Sequence, residues 1–402
     1  MTRVALLGAS ISGNKGAEAM ARAAVAQLAS RIPDAWFDLY TVYPTDDSQE
    51  NRDSRLRIVA CKPAHMMGCL FPAALLWRLG VRVLRRPSTL KGLLSADLVV
   101  DLSGISFVDG RGILILYNAI MTAIPLLLGC KTIRYAQAMG PFQHFWNRML
   151  ASVLLSRIDA VVARGHITAA HLKQIGLDSV PVFADAAFSM PVGEAAEETV
   201  QKLLPVGASR RVGISPSAVV DRYCRKHGIA YADIIAGYMD WLVTECRLQP
   251  VLFAHSARRN LRFEKNNDRL ICGRVWSRVQ RRDACLWIQE ILSAEALRVL
   301  IRQMDFVATS RFHAMVASLA ESVPPILIGW SHKYQEVLDM FLLKEWSIDF
   351  SELTSATLEN KTHDLIGVRS EVVKQIRTSL PGVKRKAEAN ADLALAVLRR
   401  TG

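Results

Sequence analysis

Short apolar runs alternate with longer stretches in which apolar residues recur every three or four positions, and this alternation fills most of the chain. In the first half, residues 4–8, 36–42, 98–102, 132–136 and 160–163 predict strands, while 17–30, 147–156 and 168–175 predict helices. Strands spaced by helices imply a mostly parallel sheet covered on both faces. Around 182–194 the pattern changes to a Pro- and Gly-containing stretch, followed by Glu194, Glu197 and Glu198, which reads as a passage between domains. A second series follows, with strands at 211–215, 250–254, 306–309 and 325–328 and helices at 231–246, 293–302 and 314–322. The predicted organisation is therefore α/β, with Rossmann-like domains over residues 1–190 and 191–365. Residues 366–402 form a helical segment, whose basic helix near 369–399 could pack back across the first domain. Such a pair of domains holds a ligand in a central cleft, near strand C-terminal ends.

Two apolar stretches raise the question of a membrane. Residues 112–130 have the length of a span and no charge, but they contain Asn118, Thr122 and Pro125 and run directly into a strand-like segment. This stretch is expected to be a buried helix of the α/β domain. Residues 66–77 are too short to span and lead into Arg78, Arg82, Arg85 and Arg86. With Phe71, Leu75, Leu76 and Trp77 on one flank, residues 66–86 could lie in a lipid interface or form an amphipathic surface helix.

Composition narrows the class further. The 402 residues are 51% hydrophobic and 22% charged, which excludes a disordered, collagenous or disulfide-stapled chain. Fifty Lys and Arg against 37 Asp and Glu give +13, which suits a nucleic acid, an anionic membrane face or a phosphorylated substrate. The basic residues are dispersed, without zinc-finger spacing or an aromatic RNP string, which argues against nucleic acid. Seven scattered cysteines without a C-x-x-C pair argue against a disulfide framework and a zinc site. With three residues ahead of the first strand there is no room for a signal peptide, so a cytoplasmic protein is expected, with peripheral contact at the inner face of the plasma membrane left open.

Polar residues with chemistry gather where apolar strands end. Gly13-Asn14-Lys15-Gly16-Ala17-Glu18 lies between a strand and a helix, and its glycines allow a close backbone approach. The spacing matches neither a P-loop nor the dinucleotide fingerprint, so a phosphate cradle and a plain turn both remain open. Asp101-Leu102-Ser103-Gly104, Gln137 ahead of Gly140-Pro141-Phe142, and Arg164 close further strands. In the second half, His255-Ser256 ends a strand and Asn266-Asn267-Asp268 follows in a charged loop. Thr309-Ser310-Arg311-Phe312-His313 turns from strand to helix, and persisting strand alternation would put Arg311 and His313 on one side. Lys333 brings another cation after the following strand.

These elements together resemble the polysaccharide pyruvyl transferase family: Gly13, Asn14, Gly16 and Glu18; the D-L-S-G strand end; Gln137 to Phe142; Arg164; His255-Ser256 with Asn267-Asp268; Ser310 to Ala314; and Val323-Pro324 to Lys333. The resemblance runs from about Val4 to Leu338 and departs at Ala17 and Gly165. It implies a glycosyltransferase-B-like fold and a ketal pyruvyl transferase acting in polysaccharide or glycoconjugate biosynthesis. Pyruvate would pass from phosphoenolpyruvate to two hydroxyls of a sugar acceptor, lipid-linked or nucleotide-linked, with no cofactor. Its donor site would comprise Arg164, Arg311, His313, Lys333 and Ser310, because a carboxylate and a phosphate need several cations. His313 would be the general acid, with His255 and Asp268 as candidates for activating the acceptor. Gly13, Asn14, Gly16, Glu18, Ser103 and Gln137 would form the acceptor or phosphate loops. No metal site is expected. The alternative is a nucleotide-sugar-dependent glycosyltransferase of the same architecture.

Overall fold

The computed structural model describes residues 1–81, 87–205, 207, 210–259, 266–329 and 332–400. Arg82, Arg85, Arg86, Trp330 and Ser331, and the side chain of His332, lie outside the described residues. The chain divides into two compact units, one of residues 1–12, 20–190 and 384–402, the other of residues 13–19 and 191–383.

In the first unit the strands are β1 (Arg3–Leu7), β2 (Trp36–Thr41), β3 (Leu56–Ala60), β4 (Leu98–Asp101), β5 (Ile105–Ser106), β6 (Thr132–Met139) and β7 (Ala160–Ala163). They form one parallel sheet in the order β3-β2-β1-β4-β6, with β5 and β7 both paired to β6. Every residue of β6 is buried, as expected for a central strand covered on both faces, yet the strand carries Arg134 and Gln137. Both are satisfied internally. Arg134 pairs with Asp101 at 2.9 Å and donates to Ser106 Oγ at 2.8 Å, to Gln137 Oε1 at 3.2 Å and to Thr122 Oγ1. Burial pulls the Arg134 pKa down and the Asp101 carboxylate opposes that.

Four helices of this unit matter below: α1 (Lys15–Arg31), whose first turn counts with the second unit, α2 (Phe71–Arg78), α3 (Ile113–Leu128) and α4 (Phe145–Leu155). The helix expected to be buried is α3, and it is buried from Asn118 onward at most positions. Its first turn is not: Ile113 is 75% exposed, Leu114 49% and Leu116 46%. α2 continues a helical stretch that includes a π-helical segment at Met66–Leu70. It buries Ala73 and Ala74 and leaves Leu75 and Leu76 exposed. Among the described residues no helix is long and apolar enough to cross a membrane.

The second unit contains β8 (Arg211–Ser215), β9 (Gln249–Phe253), β10 (Leu286–Ile288), β11 (Phe306–Thr309), β12 (Pro325–Gly329) and β13 (Ser347–Asp349). Their order is β10-β9-β8-β11-β12-β13, all parallel, which is the doubly wound order 3-2-1-4-5-6. Both units are Rossmann-like. Val299, Leu300 and Ile301 of the helix Ala294–Arg302 pack with Val251, Phe253 and Val307 to make the core on one face.

The helices that shape the second unit's strand ends are α5 (Asp268–Trp276) and α6 (Phe312–Ala320). Residues 266–268, expected as a charged loop, instead open α5: Asn267 caps it by accepting from the Arg269 N–H. The C-terminal helix α7 (Ser355–Arg399) begins earlier than the expected 369, but its backbone leaves helical geometry at Val368 (φ −117°, ψ 17°). The predicted helix is thus the part after the break.

Candidate active site

In a doubly wound sheet the strand order reverses between the first and fourth strands, and polar groups beyond their carboxyl ends face a crevice. Here those strands are β8 and β11, and the residues beyond them and beyond β9 converge. β11 ends at Thr309, whose hydroxyl donates to Ser215 O at 3.0 Å and accepts from the Arg311 N–H at 3.0 Å. Arg311 is the extended N-cap residue of α6 (φ −104°, ψ 125°), and His313 lies in the first helical turn. The relation between the two is therefore set by a strand-to-helix turn and not by the persisting strand alternation expected from sequence.

The Arg311 guanidinium forks Asp268, with Nε donating to Oδ2 at 2.6 Å and Nη2 to Oδ1, while Nη1 donates to Asn266 Oδ1 at 2.9 Å. Asp268 is fully buried and also accepts from the Ser256 and Ala218 N–H groups, each at 2.9 Å. Burial works against the charge of Arg311, and the attraction and hydrogen bonds of Asp268 outweigh it, so its pKa is raised. A buried ion pair of this kind is tolerable because the remaining lone pairs are met by backbone donors. Asp268, expected to activate an acceptor, is thereby committed to holding Arg311.

The two histidines differ in environment. His255, just beyond β9, is 4% exposed, and burial first, then the nearby His313, Arg311 and Lys15, push its pKa well below the usual imidazole range. His255 is consequently neutral at physiological pH. The His313 ring stands edge-on to Phe312, 4.9 Å between centroids. Gly16 also lies against it: a Cβ built there would fall 1.9 Å from His313 Nδ1, so no side chain fits.

The loop before α1 explains that closeness. Asn14 pairs with Ser256 as an antiparallel bridge, and the Ala257 N–H donates to Gly13 O at 2.9 Å. Gly13 adopts φ +76°, a conformation open to glycine, and a Cβ there would sit 2.5 Å from the Arg258 guanidinium carbon. Residues 13–16 are therefore a strap paired to the end of β9. Lys15 and Glu18, both buried, meet at 2.9 Å one helical turn apart.

On the other flank, Ser310 Oγ hydrogen-bonds the Tyr231 hydroxyl at 2.6 Å, and burial raises the Tyr231 pKa. Lys333 Nζ lies 5.3 Å from the centre of the Phe312 ring and 5.0 Å from that of Tyr334, which in turn donates to Ser310 O at 3.4 Å. Gly13, Asn14, Gly16, Glu18, His255, Asp268, Ser310, Arg311, His313 and Lys333 all belong to this unit.

Arg164, Ser103 and Gln137 belong to the first unit. Arg164 follows β7 and pairs with buried Asp185 at 2.9 Å, which also caps the turn Ala186–Ser189. The Ser103 N–H donates to Asp101 Oδ1 at 2.8 Å. Gln137 spends its amide on Asp101 O at 2.9 Å and accepts from Ser106 and Arg134. It is a bracing residue of the sheet. Sequence reasoning missed Tyr231, Arg258 and Arg134. Arg134 was detectable as a charge inside an apolar strand, and Arg258 as a cation two residues beyond Ser256; Tyr231 left no signal in its helical pattern.

A family model described as polysaccharide pyruvyl transferase matches residues 14–332. The amylovoran biosynthesis protein AmsJ of Erwinia amylovora is 19% identical over 396 residues, spanning 93% of this chain and 94% of that protein. Among solved structures, a putative UDP-N-acetylglucosamine 2-epimerase from Listeria monocytogenes superposes with a TM-score of 0.61 at 11% identity, covering 96% of this chain and 93% of that one. The UDP-GlcNAc 2-epimerase from Neisseria meningitidis bound to UDP-GlcNAc gives 0.59 at 11% identity, covering 98% and 100%. At such identity the likeness is one of fold, the glycosyltransferase-B arrangement of two Rossmann-like domains.

Proposed function

The chain belongs to the polysaccharide pyruvyl transferase family, and from that premise we propose that it transfers pyruvate from phosphoenolpyruvate to two hydroxyls of a sugar, closing a cyclic ketal, in exopolysaccharide biosynthesis. The observation that carries this reading is the strand-end cluster of the second unit. A guanidinium fixed by Asp268 stands among two imidazoles, one of them held neutral, with Lys333 and Ser310 on the neighbouring turns.

Phosphoenolpyruvate presents a carboxylate and a phosphate. Arg311 keeps N–H donors beyond its three bonds to Asp268 and Asn266, since a guanidinium has five. With Lys333 it supplies the two cations such a ligand needs, and the donor reading is carried by these second-unit residues alone. His313 gives a proton to the methylene carbon of the donor, which makes C2 electrophilic. One acceptor hydroxyl attacks C2, and the neutral His255 takes its proton. The C2–O bond to phosphate then breaks, and the second hydroxyl closes the ring. The balance is one proton gained by carbon and two lost by hydroxyls, the surplus proton leaving with phosphate. No cofactor enters this sequence. The acceptor is a sugar carrying a vicinal or 1,3-related hydroxyl pair.

Thermal denaturation in the presence of phosphoenolpyruvate, a UDP-sugar or neither tests the donor. A ligand at about one hundred times its Kd adds roughly 2.7 kcal/mol to the folded state. Phosphoenolpyruvate is expected to raise the melting temperature of the wild type, and Lys333→Ala to lose that increase while melting normally without ligand. Stabilisation by a UDP-sugar alone would replace this reading with that of a nucleotide-sugar glycosyltransferase.

A further inference from the structure

Acidic residues are absent from two long stretches of the first unit: no Asp or Glu occurs from Ser54 to Ala96, or from Gly110 to Ile158. The helices α2, α3 and α4 lie in these stretches, and α3 packs against both of the others. Each presents large apolar side chains to solvent. On α2 and just beyond it these are Leu75, Leu76 and Leu79, on α3 Ile113, Leu114 and Leu116, and on α4 Phe145, Trp146, Met149 and Val153. The α4 set recurs at the spacing of one helix face, and Phe145 and Trp146 are 68% and 67% exposed.

The start of α3 and the start of α4 are neighbours, because Asp109 joins them. Its carboxylate accepts from the Gln143 and His144 N–H groups at 2.7 and 3.2 Å and from Asn147 Nδ2 at 2.8 Å. The carboxylate of Asp109 is thus engaged by three donors at the entry to α4. Within the two stretches themselves the exposed charged residues are basic, with Lys62, Arg78 and Arg148 at the surface.

We propose that this face docks the protein on the surface of an anionic phospholipid bilayer, with α3 and α4 setting their exposed side chains among the acyl chains and the cations meeting phosphate headgroups. Exposed Leu, Ile, Phe and Trp side chains on three helices that pack together are unfavourable unless something covers them. Charge decides what does: the two stretches that carry these helices hold cations and no Asp or Glu, which complements a negative surface. The amphipathic lengths fit an interfacial seat, because among the described residues no helix is long and apolar enough to cross. The face extends the sequence expectation for residues 66–86 to two helices that it did not include, and it does not depend on the donor assignment.

Flotation with vesicles of phosphatidylethanolamine and phosphatidylglycerol, against phosphatidylcholine alone, tests the inference. Three proteins are compared: the wild type, Leu114→Ser/Trp146→Ser and Arg78→Glu/Arg148→Glu. The wild type is expected to float with the anionic vesicles only, and each basic residue near such a surface changes partition about fivefold. Removing both arginines should therefore weaken binding by at least 25-fold, by roughly that arithmetic, and the apolar pair should lower it by a similar order. Tryptophan emission, taken as the difference between wild type and Trp146→Phe, should shift to the blue on binding. Absence of flotation, together with a dimer in light scattering that Leu114→Ser/Trp146→Ser dissociates, would assign the face to a second copy of the chain and overturn the proposal. Flotation unchanged in both double variants would overturn it equally.

Discussion

Arg311→Ala isolates the ion pair on which the site is built. Removing the guanidinium strips Asp268 of its fork at Oδ1 and Oδ2 and leaves the carboxylate fully buried with the Ser256 and Ala218 N–H groups alone. Breaking a buried pair by deleting one partner costs about 3–5 kcal/mol. Because two backbone donors persist, the lower end of that range, about 3 kcal/mol, is expected. For a unit of about 200 residues, such as the one that holds this pair, 1 kcal/mol moves the melting temperature of that unit by roughly 2–4 °C, so a fall of about 6–12 °C follows. The second variant, Asp268→Asn/Arg311→Ala, removes the stranded charge and should recover about 2 kcal/mol relative to Arg311→Ala, and adding the cost of Asp268→Asn alone gives the coupling that a double-mutant cycle reads for residues in contact. Chemical denaturation of the four proteins at one pH, with Asp268→Asn as the remaining corner, gives the measurement. If Arg311→Ala melts within about a degree of the wild type, equivalent to under roughly 0.5 kcal/mol, or if the double variant is no more stable than Arg311→Ala, then Arg311 is not anchored as described. The loss of activity in Arg311→Ala would in that case report ligand contact alone.

Gly16→Ala should displace the His313 ring, since its Cβ would fall 1.9 Å from Nδ1; a shift of about 1 Å at a reacting group costs on the order of a hundredfold in rate, so the turnover of pyruvyl transfer should fall far more than the melting temperature. Equal fractional losses in the two would show that Gly16 serves folding only. His255 titrates in the unfolded chain near the usual imidazole value but not in the folded protein, where its pKa lies well below 6.5. The unfolded state therefore gains a proton first, and stability is lost as pH falls through the unfolded value. Between pH 7 and 5.5, where that gives about 1.2 kcal/mol, the wild type should lose this much more than His255→Gln in parallel denaturation curves. Identical slopes would refute a neutral buried His255.

The alternation of strands and helices was legible because a sheet covered on both faces demands continuous apolar runs, and both Rossmann-like units follow from it. The fate of individual polar residues was less so. Ser103 lies just beyond β4 as the pattern implies, but β6 runs on to Met139, so Gln137 lies inside the strand and is consumed by Asp101, Ser106 and Arg134, a network that exists only once β4, β5 and β6 are side by side. Asp268 carried the charge of a catalytic acid or base, and its partner Arg311 lies 43 residues away. No local pattern encodes that pairing. The break at Val368 and the helix start at Ser355 show the opposite limit, because polar helix residues obey no strict period and the earlier turn was invisible to it. The exposed first turn of α3 was hidden for a related reason: apolar periodicity reports a side chain's chemistry and not whether another element covers it.

The segment 13–19, which carries the strap at 13–16, bears on the order in which the protein can be built. The chain passes from one unit to the other four times, at 12/13, 19/20, 190/191 and 383/384. A nascent chain releases the strap some 240 to 300 residues before Ser256, Ala257 and His313, against which it lies. At synthesis rates of about 5–20 residues per second, Gly13 and Gly16 wait on the order of ten seconds or more for their partners. Closing so long a loop comes late and is slow. The residues that border His313 are thus translated well before their partners and placed only after them, which makes the candidate cluster a late product of folding rather than an early nucleus.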